Sequence, residues 1–385
     1  MIHRDLTPVI QQMATKMPVI SITGPRQSGK TTLARHCFPD YTYVNLESPE
    51  TRLFATEDPK AFLQQHKTGL IIDEAQRVPE LFSYLQVISD ASGQPGEYIL
   101  SGSQNFMLLR SITQTLAGRV FLSHLLPFAI RELKQAGQAL EDADQTMVTG
   151  FYPRLFDQDI PPNLFYPSYV QTYLERDIAD LVSARNLLPF RKFMQLLAGR
   201  IGQLINFSSL GIEVGVDHKT IQSWCSLLEA GFIIYFARPY HRNFAKRIVK
   251  TPKVYFHDTG LAAHLLGITS AADLTHHWTR GALFENLVMA ETLKTFYNVG
   301  AQPPVYFWRD NKGLEIDLIV ETGTGLTAVE IKSGTTVTPS FLTNLRKFDQ
   351  IADIPLEKMI VYGGNDQVVL NDIQVIPWRN VSSIL

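Results

Sequence analysis

The chain has 385 residues, 45% hydrophobic and 19% charged, an ordinary globular balance able to bury a sizeable core in about two or three domains. A formal net charge of −2 excludes a uniformly basic nucleic-acid coat but not a local basic patch. Cys37 and Cys225, the only cysteines, lack the spacing of a disulfide framework or zinc site. No apolar run reaches the ~20 residues of a membrane span, and the charged N-terminus does not read as a signal peptide. The expectation is a cytoplasmic protein with no membrane partner.

The first informative stretch is PVISITGPRQSGKTTLARHCF. Pro18 to Thr23 reads as a buried strand, Gly24, Pro25, Arg26, Gln27, Ser28, Gly29, Lys30 and Thr31 fit G-x-x-x-x-G-K-[ST], and Thr32 opens a helix. That strand–loop–helix context is the one a phosphate cradle needs, with glycines freeing backbone N–H groups and the helix N-terminus adding its dipole. Lys30 is the candidate for the β/γ-phosphates of ATP and Thr31 for a Mg²⁺ ion. Farther on, GLIIDEAQ ends a buried strand in Asp73-Glu74. Asp73 is the second candidate Mg²⁺ ligand, expected on a neighbouring strand, and Glu74 the base for the attacking water. The run EYILSGS delivers Ser101, Ser103 and Gln104 to the same edge, with Ser103 as candidate γ-phosphate sensor. Asn45, ending YTYVNLE, is a candidate to hold Glu74 inactive.

The run GPRQSGKTTLA, IIDEAQ, ILSGSQN, LAGRV, LLPFAIREL, TGFYP and YLERDI resembles a prokaryotic AAA+ family of P-loop ATPases with a C-terminal domain of unknown function. The resemblance covers essentially the whole chain. It implies an α/β ATPase domain, ATP hydrolysis with Mg²⁺, and Arg119 as the arginine that stabilises γ-phosphate charge, in cis or from another subunit of a homo-oligomer. Arg131 and Arg154 are weaker candidates for that role.

From Phe190 to Pro239 the pattern reads helix, short helix after Phe207, a Gly215-Val216-Asp217 turn with Asp217 as N-cap, and a helix His218 to Ala230 stopping at Gly231. Two strands follow, Phe232 to Pro239 and Val254 to His257, completing a winged helix–turn–helix. His218, Lys219, Gln222 and Ser223 are expected outside, Ile221, Trp224, Leu227 and Leu228 inside. Between the strands Arg238, Arg242, Lys246, Arg247, Lys250 and Lys253 occur without an acid, a wing suited to DNA phosphates. A packing role or a protein partner is the competing reading.

The last stretch begins with TRGALFENLVMAETLKTF, an amphipathic helix whose inward stripe is Leu283, Leu287 and Met289 or Ala290, with Glu285 among them. GLEIDLIVETGTGLTAVEIKSG then reads as a hairpin. Strict alternation puts Ile316, Leu318 and Val320 on one face and Glu315, Asp317 and Ile319 on the other, with Glu330 and Lys332 sharing a face. Glu285, Asp317, Glu330 and Lys332 resemble the PD-(D/E)xK nuclease fold. The resemblance implies Mg²⁺ on the three carboxylates and a lysine that positions or activates water. The expected domains are 1–150 (ATPase), 151–188 (helical linker), 189–265 (winged helix) and 266–385 (nuclease-like). Together they point to an ATP-driven protein acting on DNA, or else to a nucleotide-gated switch that binds a protein partner and keeps a degenerate nuclease fold.

Overall fold

Five short apolar runs form the first sheet: β1 (Val19–Thr23), β2 (Thr42–Asn45), β3 (Leu70–Asp73), β4 (Tyr98–Gly102) and β5 (Val120–His124). The computed structural model describes residues 2–65, 68–102, 115–140, 142–174, 187–240, 250–323 and 325–384. The order is β2-β3-β4-β1-β5 and every pairing is parallel. Both faces of the sheet are covered, which explains the unbroken hydrophobic runs. Alternate residues divide between two cores. Leu70, Ile72, Tyr98 and Leu100 meet Phe62, Phe82 and Leu85. Ile20, Ile22, Ile71 and Ile99 meet Leu33, Ala34, Ile10 and Leu6. Because β4 lies between β1 and β3, the acid pair sits two strands from the loop rather than on a neighbouring one.

The chain forms two compact units. The first is residues 1–128 with two short segments, 230–232 and 296–301; the second is 129–229, 233–295 and 302–385. Residues 129–150 belong to the second unit, and β6 (Ile234–Pro239), which pairs antiparallel with β7 (Lys253–Phe256), also pairs in parallel with β8 (Val305–Arg309). One eight-stranded sheet results. It contains β9 (Glu315–Glu321), β10 (Leu326–Lys332), β11 (Leu356–Tyr362), β12 (Val368–Leu370) and β13 (Ile373–Pro377), in the order β12-β13-β11-β10-β9-β8-β6-β7.

In the second unit three helices, Leu187–Ala198, Phe207–Val214 and His218–Ala230, precede β6. Trp224 packs against Phe190 and Phe193, with ring centroids 5.3 and 5.4 Å away. Asp217 caps the third helix by accepting from the backbone N–H groups of Lys219 and Thr220 at 2.8 and 3.0 Å. The left-handed turn after that helix falls at Phe232 (φ 55°), a first-unit residue, and not at Gly231. Helix Arg280–Asn298 buries Leu283, Phe284, Leu287, Val288 and Met289, more than the single stripe expected. Its Asn286 accepts from the Phe256 N–H at 2.7 Å and donates to the Phe256 carbonyl at 2.8 Å, fixing the helix to β7.

The hairpin β9–β10 has the register Leu326↔Glu321 to Val329↔Leu318. Strict alternation fails on its other side. The β8 pairing jumps from Tyr306↔Ile319 to Trp308↔Ile316, so Asp317 and Leu318 together stand opposite Phe307. This bulge returns Ile316 and Ile319 to one core, with Leu326, Ala328, Leu345 and Phe348, and re-aims Asp317. The polar groups thus cluster at one end of the strands and do not occupy a whole face.

Candidate functional site

In the first unit the loop after β1 turns on Gly24 (φ 150°), Gln27 (φ 63°) and Gly29 (φ 92°). A Cβ at Gly24 would stand 2.1 Å from the Leu125 carbonyl oxygen, so only glycine fits there. Lys30, the first residue of helix Lys30–Cys37, is buried and donates to the Gly24 and Pro25 carbonyls at 3.0 and 2.8 Å. The Ser28 hydroxyl and the Gln27 Oε1 are buried without a hydrogen-bond partner among the described residues. Thr32 is exposed. Arg4, which the sequence did not mark, donates to the Ser28 and Leu126 carbonyls at 2.8 and 2.6 Å and so braces the loop from below.

Asp73 closes the site. Its Oδ2 accepts from the Thr31 and Tyr43 hydroxyls, each at 2.8 Å, and its Oδ1 from the Ser101 hydroxyl at 2.5 Å and the Glu74 N–H at 3.1 Å. With the Thr31 hydroxyl, this carboxylate offers the hard oxygens that Mg²⁺ takes. The residues present fit that ion. Glu74 adopts a left-handed conformation (φ 54°), and its Oε2 accepts from the Gln76 amide at 2.5 Å. Asn45 is engaged elsewhere: its Oδ1 accepts from the Glu47 N–H at 2.8 Å, capping the turn after β2. The contact expected between Asn45 and Glu74 is replaced by Gln76.

Burial lowers the Lys30 pKa to about 8, although Glu74 and Asp73 pull it upward. This folded value lies below the unfolded one, so the cost of burying the ammonium is present below pH 8 and disappears as pH rises toward 10.5. Phosphate oxygens would restore the charge. ATP binding at about pH 9 is therefore expected to take up close to one proton, read as buffer-dependent enthalpy in calorimetry. Lys30→Met should abolish the uptake. An equal uptake in both proteins would place the proton elsewhere.

Arg119 lies at the start of β5, its carbonyl accepting from the Val19 N–H that opens β1 at 3.2 Å. The two strands are parallel, so the loop sits at the opposite edge, about 15 Å away at ~3.3 Å per residue. A cis role is excluded by that position; the guanidinium forms a two-pronged, solvent-exposed pair with Asp90 at 2.5 and 2.8 Å. Arg131 and Arg154 are exposed residues of the second unit. Ser103 and Gln104 lie outside the described residues, as do Arg242, Lys246, Arg247 and most of YLERDI.

The second unit gathers the acids expected near its C-terminal end. Asp317 Oδ2 accepts from the Ile331 N–H at 2.8 Å and lies 3.5 Å from Lys332 Nζ, which contacts Glu330 Oε2 at 2.5 Å. Asn344 donates to Glu330 Oε1 at 3.4 Å. Glu285 Oε1 accepts from Lys253 Nζ at 3.1 Å and from the Tyr255 hydroxyl at 2.5 Å. Burial pushes the carboxyls of Glu285 and Glu330 up, Lys253 and Lys332 respectively drawing them back. One expectation is corrected. Lys253 is 2% exposed and belongs to this cluster, not to a solvent-facing wing. Glu285, Asp317 and Glu330 are tied to lysines, and among the described residues no three His, Cys, Asp or Glu side chains are arranged to hold a metal.

A family model described as AAA domain matches residues 16–134, and two described as domains of unknown function, DUF8612 and DUF4143, match residues 140–272 and 280–381. The uncharacterized proteins Mb2031c of Mycobacterium bovis and Rv2008c of Mycobacterium tuberculosis are each 31% identical over 381 residues, spanning 97% of this chain and 82% of theirs. An uncharacterized protein of Haemophilus influenzae is 25% identical over 317 residues, 72% of this chain and 75% of its own. Among solved structures, the Walker-type ATPase PABY2304 of Pyrococcus abyssi gives a TM-score of 0.41 at 14% identity, covering 69% of this chain and 96% of that one. AMPPCP-bound DnaA from Aquifex aeolicus gives 0.31 at 14% identity, covering 58% and 85%. No helix among the described residues is long and apolar enough to cross a membrane. The chain belongs to the same family as the two mycobacterial proteins, and within it residues 16–134 form an AAA-type, nucleotide-binding P-loop ATPase domain.

Proposed function

We propose that the protein is a Mg²⁺-dependent ATP hydrolase that acts on DNA. The carrying observation is the Thr31–Asp73 hydrogen bond at 2.8 Å, which joins the phosphate loop to the acid pair across an intervening strand. Thr31 and Asp73 are the residues to hold Mg²⁺, which when bound neutralises charge on the β- and γ-phosphates. Lys30 exchanges the Gly24 and Pro25 carbonyls for phosphate oxygens. Glu74, held by Gln76, orients and deprotonates the water that displaces ADP from the γ-phosphorus. Any contact of Arg119 with the γ-phosphate is made in a neighbouring subunit.

The DNA part of the reading rests on helix His218–Ala230, which exposes His218, Lys219, Gln222 and Ser223 and is followed by an antiparallel strand pair, with Arg238 exposed in β6 and Lys250 exposed ahead of β7. We read this arrangement as a winged helix docking on duplex phosphates, and the C-terminal sheet as a nuclease-like fold. ATP turnover with and without duplex DNA tests the reading. Stimulation by DNA is expected, together with binding that weakens on added salt by a log–log slope of ~0.9 per phosphate contacted; Lys219→Ala should lower that slope. Salt-independent binding and no stimulation would overturn it. The engagement of Glu285 by Lys253 favours a second reading for the C-terminal unit alone, a nuclease-like fold that grips without cutting.

A further inference from the structure

Lys253 reaches the acid cluster by the period-two geometry of β7. Lys253 and Tyr255 share a face of that strand and both meet the same oxygen, Glu285 Oε1, at 3.1 and 2.5 Å. The Lys253 ammonium also contacts Glu315 and lies 5.3 Å from the centroid of the Phe307 ring. The Glu285 carboxylate is seated against Gly202 (φ 72°), where an added Cβ would come within 3.1 Å of Oε2. The fit on that side is tight. Burial works against the Lys253 charge, but Glu285, Glu315 and Asp317 outweigh it and raise the pKa above the ordinary lysine value.

The charge balance agrees with the geometry. Four carboxylates, those of Glu285, Glu315, Asp317 and Glu330, face Lys253 and Lys332, and Glu315 also pairs with Arg309 at 3.3 Å. Four negative groups against three positive ones leave little demand for a divalent ion. Removing the Lys253 ammonium would leave the Glu285 carboxylate with the Tyr255 hydroxyl and no cation in contact, a costly state.

We infer that Lys253 is a built-in counter-ion: its ammonium takes the place of a cation against Glu285 and Glu315 and closes that side of the cluster to a divalent ion. The strand pair β6–β7 is thereby also a gatekeeper of the acid cluster. The inference stands on the second unit alone, so assays without nucleotide keep its failure separate from that of the ATPase reading.

The test uses the full chain, free of nucleotide, with Mn²⁺ as the probe, followed by calorimetry and by thermal unfolding. Wild type is expected to show neither Mn²⁺ binding at this cluster nor a Mn²⁺-dependent rise in Tm. Lys253→Met is expected to melt lower in EDTA, to regain Tm with Mn²⁺, and to bind Mn²⁺ at least about tenfold more tightly than wild type. The double variant Lys253→Met/Glu285→Gln removes both charges at nearly constant volume. It should recover most of the lost Tm and no longer respond to Mn²⁺, which keeps the test decisive if the single variant fails to fold. Equal Mn²⁺ binding by wild type and Lys253→Met, or a double variant as unstable as the single one, would overturn the inference.

Discussion

Glu74→Gln is expected to bind ATP about as tightly as wild type and to hydrolyse it roughly 10²–10⁴-fold more slowly, the usual contribution of a positioned general base. The side chain keeps its size, and Gln76 can still contact its oxygen. What is lost is the ability to take a proton from water. A steady-state assay paired with equilibrium binding of ATP separates the two effects. If turnover falls less than about tenfold, the base lies elsewhere, because proton transfer in the transition state carries more than that.

Asp258→Ala is expected to cost about 3–5 kcal/mol of folding stability, near the upper end for a single substitution. Asp258 is buried, accepting from the N–H groups of Phe151 and Leu261 and from the Tyr166 hydroxyl, each at 2.8 Å. Truncation strands two buried N–H donors, each costing about 1–3 kcal/mol when left without a partner, while the Tyr166 hydroxyl keeps the Thr149 carbonyl at 3.0 Å. Gly150 leaves no space for relief, since a Cβ there would lie 1.9 Å from the Tyr166 hydroxyl. Asp258→Asn keeps two of the acceptor contacts and should lose roughly half as much. Urea denaturation measures both. A loss below about 1 kcal/mol for Asp258→Ala would mean that the two N–H donors find other partners.

The parts of the site that were legible are those whose chemistry is local in sequence. Gly24 to Thr31 is one continuous stretch, and Asp73-Glu74 ends a single strand, so spacing alone locates them. The donors on Asp73 were harder to find. The strand that carries Ser101 brings that residue to the same edge, but Tyr43, 30 residues from Asp73, arrives only once the strand order is known. Arg119 carries its own signal: a residue preceding a parallel strand lies at the edge opposite the loop. Gln76, two residues after Glu74, was likewise within reach.

In the second unit, periodicity misled where the backbone left its period. The bulge at Asp317-Leu318 arises from the match to β8, and no pattern inside β9 announces it. Composition groups Lys253 with the basic run before it. The better signal was the strand after it, in which alternation pairs Lys253 with Tyr255 and separates both from Val254. Charge runs show composition, but burial is decided by the strand that carries each residue.

The central claim is that a nucleoside triphosphate settles on the loop from Gly24 to Thr31 with Mg²⁺ between Thr31 and Asp73. Equilibrium ATP binding with and without Mg²⁺, compared between wild type and Lys30→Ala, tests it most directly. Wild type should bind ATP in a Mg²⁺-dependent manner, and Lys30→Ala should lose most of that affinity while melting like wild type in the absence of nucleotide. Mg²⁺-independent binding, or equal affinity in the two proteins, would contradict it.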